Sequence, residues 1–285
     1  MSRDREERGQ RSPGRFPDRY GAWAFVAGAS EGLGAAFARA LAERGLNLLI
    51  AARRAAPLED LAAEIRARSA VQVRSMAGDL AESHFLQSLQ ACAADLDLGV
   101  IVSNAAYVPI GEFASRPAAD VLRAVDVNVR APVTLLRSML PLMIERERGA
   151  VILMSSLAGY QGIPRIAMYT ATKAFTRVLA EGLWRELRGS GVDIVACCAG
   201  AVRTPGYSSA SAQEAPGTMD SARVVEITLR SLGHGPVVIP GLINRAAALL
   251  TTRILSRRAA IGIMARSTSM LGQPNGKKMA SGSTS

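Results

Sequence analysis

At 285 residues and 30.0 kDa the chain is long enough for one large domain with a buried core, and 49% hydrophobic against 20% charged residues excludes a generally disordered chain. Its cysteines, Cys92, Cys197 and Cys198, are odd in number with two adjacent, which argues against a disulfide framework and for a reducing, cytoplasmic compartment. The net charge of +10 comes without a nucleic-acid-binding motif, so no nucleic-acid partner is expected, and no apolar run is long enough to span a bilayer.

Residues 1–17 mix Arg, Asp, Glu, Gly and Pro without an apolar stretch, so they read as neither a secretory signal nor a span, and residues 1–19 are assigned to a disordered charged tail. From Trp23 to about Ile239, short apolar runs alternate with segments of helical period, the pattern of repeated βαβ units. Strands are expected at 23–27, 47–51, 71–76, 99–103, 150–154, 193–197 and 237–239, and helices at 33–44, 58–68, 82–94, 118–145 and 168–188. Right-handed crossovers then give an α/β fold: a single doubly wound domain over 20–240, with a seven-stranded parallel sheet and helices on both faces.

Residues 241–272 are expected to form an amphipathic helical extension, in which Ile243, Ala246, Ala247, Leu250, Ile254 and Ile261 share a face, Arg253 and Arg258 flank it and Arg245 lies opposite. No Asp or Glu follows Glu226, whereas eight Arg and Lys residues do. Two readings stand. The face rests on an anionic membrane surface or the substrate entrance, which would place the protein peripherally at the inner face of the membrane, or it closes the domain or a subunit contact. Solvated arginines of an arginine-preferring chain explain the charge equally well. The Gly/Ser-rich end, 273–285, reads as a disordered tail.

The first expected strand runs into Gly28-Ala29-Ser30-Glu31-Gly32-Leu33-Gly34 and then a helix. Glycines there let the backbone turn sharply and approach a pyrophosphate, whose charge suits the free amides of a helix N-terminus; a merely tight strand-to-helix turn is the competing reading. At the end of the second strand, where a carboxylate would bind the ribose hydroxyls of NAD, stand Ala51-Ala52-Arg53-Arg54. An arginine fork matches a 2′-phosphate, so NADP(H) is the expected cofactor, against the alternative that the pair only opens an exposed loop.

Tyr169-Thr170-Ala171-Thr172-Lys173 lies on an expected helix, where residues four apart share a face, so the ammonium can stand beside the phenol and stabilise its ionised form. Tyr-x-x-x-Lys alone is a weak motif, but this chain has 34 lysines and arginines of which only Lys173, Lys277 and Lys278 are lysines. Lys173 is thus the one lysine of the body, a compact ammonium where arginine is otherwise used. Ser156, just past the fifth strand, can hydrogen-bond a substrate carbonyl, although Ser155 and Ser156 can also simply cap a loop.

Together these segments resemble the short-chain dehydrogenase/reductase family over roughly residues 20–239. The glycine turn is similar to its T-G-x-x-x-G-x-G, Asp79-Leu80 to its adenine-contacting Asp, Ser103-Asn104-Ala105-Ala106 to its N-N-A-G, and Ala199-Gly200-Ala201-Val202-Arg203-Thr204 to its P-G-x-V-x-T. Asn128, Ser156, Tyr169 and Lys173 fall on its catalytic tetrad. The resemblance implies a Rossmann-type fold holding NADP(H) through Gly28, Ser30, Glu31, Gly32, Leu33, Gly34, Arg53, Arg54, Asp79, Leu80, Asn104, Ala105, Tyr169, Lys173, Gly200, Val202 and Thr204. Tyr169 would exchange the substrate proton, Lys173 lower its pKa and hold the nicotinamide ribose, Ser156 orient the carbonyl, and Asn128 anchor a water relay. Hydride would pass directly between nicotinamide and carbonyl carbon, with no metal needed. A homodimer or homotetramer would form through the helices bearing Asn128 and Tyr169.

Ala27, Ser103, Ala106 and Ala199 depart from the family's Thr, Asn, Gly and Pro. Within the family, residues 20–24, Arg53-Arg54 and Val238-Ile239-Pro240-Gly241 are most similar to 3-oxoacyl-CoA reductases and hydroxysteroid dehydrogenases, which implies an apolar, lipid-like carbonyl or alcohol substrate, with 205–220 as a small-residue loop over it. The alternative is a non-catalytic dinucleotide-binding protein of regulation or assembly, which the complete tetrad opposes.

Overall fold

The structure, a computed structural model, describes residues 15–205 and 214–268. Its strands are β1 (Trp23–Ala27), β2 (Asn47–Ala52), β3 (Val73–Ala77), β4 (Leu98–Ser103), β5 (Gly149–Ser156), β6 (Val192–Ala199), β7 (Val202–Arg203), β8 (Met219–Asp220) and β9 (Val237–Val238). All but β7 and β8, which pair with each other, form one parallel seven-stranded sheet in the order β3-β2-β1-β4-β5-β6-β9. The expected α/β fold, of Rossmann type, is therefore present.

Alternation along the strands builds the two cores. Ala24 and Val26 of β1 and Leu48 and Ile50 of β2 face one layer, while Phe25 and Leu49 face the other. The first layer consists of α2 (Gly32–Glu43), α3 (Ala55–Arg68) and α8 (Ser221–Arg230), with Phe37, Leu41, Leu61 and Leu229 inside. The second consists of α4 (Ser83–Ala94), α6 (Ala131–Glu145) and α7 (Ala167–Glu186), with Phe85, Leu89, Leu135 and Met139 inside. The adjacent cysteines follow the same rule: Cys197 joins the first core, whereas Cys198 bonds Ser155 and Tyr160. The strand order reverses between β1 and β4, which opens a crevice at the C-terminal ends of those strands.

Besides α8 and the β7–β8 pair, which were not among the expected elements, three segments differ from expectation. The stretch assigned to a disordered tail runs into a helix, α1 (Phe16–Tyr20), held where the Phe16 and Tyr20 rings meet at a tilt with centroids 4.8 Å apart and the buried Tyr20 hydroxyl donates to Asp193 at 3.0 Å. Residues 1–14 lie outside the described residues. The single helix expected over 118–145 is α5 (Ala118–Val125), a π-helical turn over Asp126–Arg130, and α6. Beyond β9, the extension is α9 (Leu242–Leu249), a second π turn at Leu250–Ile254, and α10 (Arg257–Thr268).

That extension turns its apolar stripe outward. Asn244 and Ala248 face the protein, with the Asn244 amide donating to the carbonyls of Gly217 (3.1 Å) and Pro240 (2.9 Å). Ile243 and Ile254 are 60% and 68% exposed. A buried, twice-bonded asparagine fixes the inward face, so the stripe does not close this domain's core. No helix among the described residues is long and apolar enough to cross a membrane.

Candidate active site

β1 ends at Ala27, and the chain turns through Gly28 (φ 77°) and Gly32 (φ 57°), both in the left-handed region that side chains strain to enter. Space is as restrictive as torsion. A Cβ on Gly28 would stand 2.7 Å from Ala105 Cα, and one on Gly34 1.9 Å from the Gly28 carbonyl oxygen. Asn104, at the end of β4, donates to that same carbonyl at 2.9 Å and ties the two crevice walls together. The free amides of α2 then open onto a cleft of about 320 Å³ walled by the turn, residues 52–54, 78–80 and 104–107, and Arg123, Val127 and Thr204.

Among the expected cofactor contacts, Gly28, Ser30, Glu31, Gly32, Leu33, Arg53, Arg54, Asp79, Leu80, Asn104, Ala105 and Thr204 line this cleft. Gly34 packs behind the turn, the Val202 side chain is in the core, and Gly200 lies against the Asn244 amide. Arg54 pairs with Glu31 at 2.6 Å, whereas Arg53 makes no ion pair among the described residues. Gly78, Tyr107, Arg123 and Val127 also line the cleft and were not singled out from the sequence. Arg123 pairs with Asp79, and its guanidinium stands 5.4 Å from the centroid of the Tyr107 ring. Burial pushes Asp79 up, but the Ala81 amide, Arg123 and Arg53 outweigh it and hold the carboxyl below its ordinary value.

The four residues matching the tetrad stand beside this cleft, around the C-terminal end of β5. Asn128, buried within the π turn, accepts from the Tyr107 amide (2.7 Å) and donates to the Tyr107 carbonyl (2.9 Å) and to Thr172 Oγ1 (3.0 Å). It thereby clamps the loop after β4 to α7. The π turn is the device that aims it, as such turns often do at functional sites. Ser156 accepts from the Ala158 amide at 3.1 Å, capping the 3₁₀ turn Leu157–Tyr160, and also hydrogen-bonds the Tyr169 phenol. The capping and the site-facing readings of Ser156 are both realised.

Lys173 is 5% exposed, donates from Nζ to the Met154 carbonyl at 2.5 Å, and is lowered by burial to about 8. Its Nζ is 5.7 Å from the Tyr169 ring centroid. One expectation is corrected: the Tyr169 phenol is not held low by Lys173. Burial raises it and only the Ser156 hydrogen bond works downward, while the Lys173 ammonium is engaged by the Met154 carbonyl. Of the expected loop, residues 206–213 lie outside the described residues.

Residues 22–215 match the family model described as short chain dehydrogenase. A 7beta-hydroxysteroid dehydrogenase of Clostridium sardiniense is 31% identical over 81% of this chain and 89% of its own length. A very-long-chain 3-oxoacyl-CoA reductase of Bos taurus is 31% identical over 60% of this chain, the match spanning 56% of that relative. Among solved structures, one from work on the stereoselectivity of a 7beta-hydroxysteroid dehydrogenase superposes with a TM-score of 0.84 at 26% identity, covering 88% of this chain and 99% of that one. A short-chain dehydrogenase from Sphingobium yanoikuyae in complex with NADPH gives 0.72 at 28% identity, covering 90% and 98%.

Proposed function

This chain belongs to the short-chain dehydrogenase/reductase family, oxidoreductases that bind a nicotinamide dinucleotide, and we propose that it uses NADP(H) to interconvert a carbonyl and an alcohol on an apolar, lipid-like substrate. The observation that carries this reading is the gathering of Ser156, Tyr169, Lys173 and Asn128 at one strand end beside a glycine-walled cleft. The cleft fits a dinucleotide. Gly28 and Gly34 keep the turn tight, since a Cβ on either would strike the Ala105 or the Gly28 backbone, and α2 offers its amides where a pyrophosphate would lie.

The turn, Asp79 and Asn104 would hold the adenosine and pyrophosphate, with Thr204 toward the nicotinamide. When bound, the nicotinamide supplies hydride exchange with the substrate carbon. The chain's residues manage the oxygen. Ser156 donates to the carbonyl oxygen and fixes its position, work that single oxyanion donors perform at about 3–4 kcal/mol. Tyr169, kept protonated by burial, delivers its phenolic proton to that oxygen or receives it back. Lys173, whose Nζ bonds the Met154 carbonyl at 2.5 Å, would present its ammonium to the ribose hydroxyls, and Asn128 aligns α7 and the path by which the proton is replaced.

An apolar substrate is supported by the relatives, whose names specify a hydroxysteroid and a very-long-chain 3-oxoacyl-CoA. NADP(H) is supported by Arg53 and Arg54 where a carboxylate would be needed to select NAD. Arg53, without an ion-pair partner among the described residues, is the better placed for a 2′-phosphate. The test is binding of NADPH and NADH to the protein, to Arg53→Ala and to Ala52→Asp. Losing one charge-assisted contact costs about 1.5–3 kcal/mol, so the preference for NADPH should fall by about 10-fold or more in either variant. Equal affinity of the unaltered protein for both dinucleotides would contradict NADP(H) selectivity.

A further inference from the structure

The C-terminal extension exposes Leu242, Ile243, Leu249, Leu250, Ile254 and Ile263, Leu242 by 80%. Along α9 and into the π turn that continues it, Leu242, Ile243, Ala246, Leu249 and Leu250 occupy about a third of the helix circumference, opposite the buried Asn244 and Ala248. Arg245, Arg253, Arg257 and Arg258 are exposed along the same extension and form no ion pair among the described residues. Arg245 and Arg257 hydrogen-bond only backbone carbonyls, those of Ile239 and Tyr160. No carboxylate side chain follows Glu226 to balance them.

The occupant of this face must therefore be apolar at its centre and anionic around it. The rest of the chain supplies no such segment: residues 1–14, 206–213 and 269–285 are mostly polar, with only scattered apolar side chains such as Met1, Tyr207 and Leu271. A second copy meeting this face about a twofold axis would set the same arginines against themselves. An anionic bilayer satisfies both requirements, because the apolar side chains enter the acyl boundary while arginine stems lie along it and carry their guanidinium groups to the phosphates.

We propose that residues 242–263 form an interfacial anchor that seats the protein on an anionic lipid surface. The anchor lies against the catalytic face, since α9 packs on the turn Leu157–Tyr160 that follows Ser156 and Arg257 Nη1 donates to the Tyr160 carbonyl at 3.1 Å. Membrane binding is independent of the proposed chemistry and is measured without substrate or dinucleotide.

The test is co-sedimentation of the full chain with vesicles of phosphatidylcholine alone and of phosphatidylcholine mixed with phosphatidylglycerol. Binding is expected only to the mixed vesicles at low salt, with release as salt rises. Arg253→Gln and Arg258→Gln should each weaken it about fivefold. A Leu242→Ser/Ile243→Ser/Leu249→Ser/Ile254→Ser variant keeps every charge and should lose at least about tenfold in affinity. Leu242→Ser alone, at the most exposed of these positions, gives the same reading in smaller measure if the quadruple variant melts early. Absence of binding at low salt overturns the proposal, and so does undiminished binding by both serine variants, which would leave only nonspecific attraction of a basic protein. Conversion of a dimer to monomers by these substitutions would instead identify the face as a subunit contact and equally refute the anchor.

Discussion

Lys173 carries its amine where an ammonium is costly, and the cost is readable as pH dependence. The amine sits at about 8 in the fold against an ordinary 10.5, so between those values the unfolded chain binds more protons than the native one. Native stability contributed by this residue is therefore poorest below pH 8 and recovers as pH rises toward 10.5, by roughly 3 kcal/mol in all. Lys173→Met removes the titration. Its stability relative to the parent, measured by urea denaturation, should fall as pH rises from 7 to 10, and a difference independent of pH would show that the amine is not buried as described. Tyr169, raised by burial, should stay protonated through neutral pH. Carbonyl reduction should accordingly hold its rate from pH 6 to 8 while alcohol oxidation climbs with pH, and a reduction profile already falling by pH 7 would contradict a raised phenol. The partnership of these residues was legible from their spacing of four on a helix. The turn of Nζ toward Met154 was not, because the attracting carbonyl belongs to another element.

At the scale of elements, Gly34 is the position where sequence pattern and packing make the same demand. Gly34→Ala would drive a methyl group into the Gly28 carbonyl and the Asn104 amide, 1.9 and 2.7 Å from its Cβ. Overpacking of this kind costs about 1–3 kcal/mol, and the turn that cradles the pyrophosphate would shift with it. The variant should melt earlier and bind NADPH at least about tenfold more weakly; unchanged binding would remove the turn from the cofactor site. Strands and their order of burial were legible because alternate residues must face different cores, as Leu48 and Leu49 do. The π turn at Asn128 was not, since one extra residue in a helix barely alters the apolar period over 118–145. Arg123 was hidden for a different reason: its partner Asp79 is 44 residues away and meets it only once the sheet is wound.

For the whole molecule, exposed side chains on α5, α6 and α7, namely Leu122, Val133, Phe175 and Val178, mark a second apolar region apart from the C-terminal extension. We expect these helices to form the homo-oligomer contact, so the protein should sediment as a dimer or tetramer and Val178→Glu, which places a carboxylate where the side chain is 56% exposed in the single chain, should dissociate it. A monomeric parent would exclude this arrangement. The extension also shows what amphipathicity leaves undecided: its stripe was legible, but its direction depends on Asn244 finding the carbonyls of Gly217 and Pro240, which only the assembled fold presents. The most direct measurement of the central claim compares the parent with Tyr169→Phe in NADPH-linked reduction of bulky apolar ketones, with NADPH binding measured in parallel. The account predicts turnover by the parent, and in the variant unchanged NADPH affinity with turnover at least about 100-fold lower, because only the proton-bearing hydroxyl is lost. Turnover by the variant within about tenfold of the parent would contradict it, as would a parent that binds NADPH yet reduces none of the ketones.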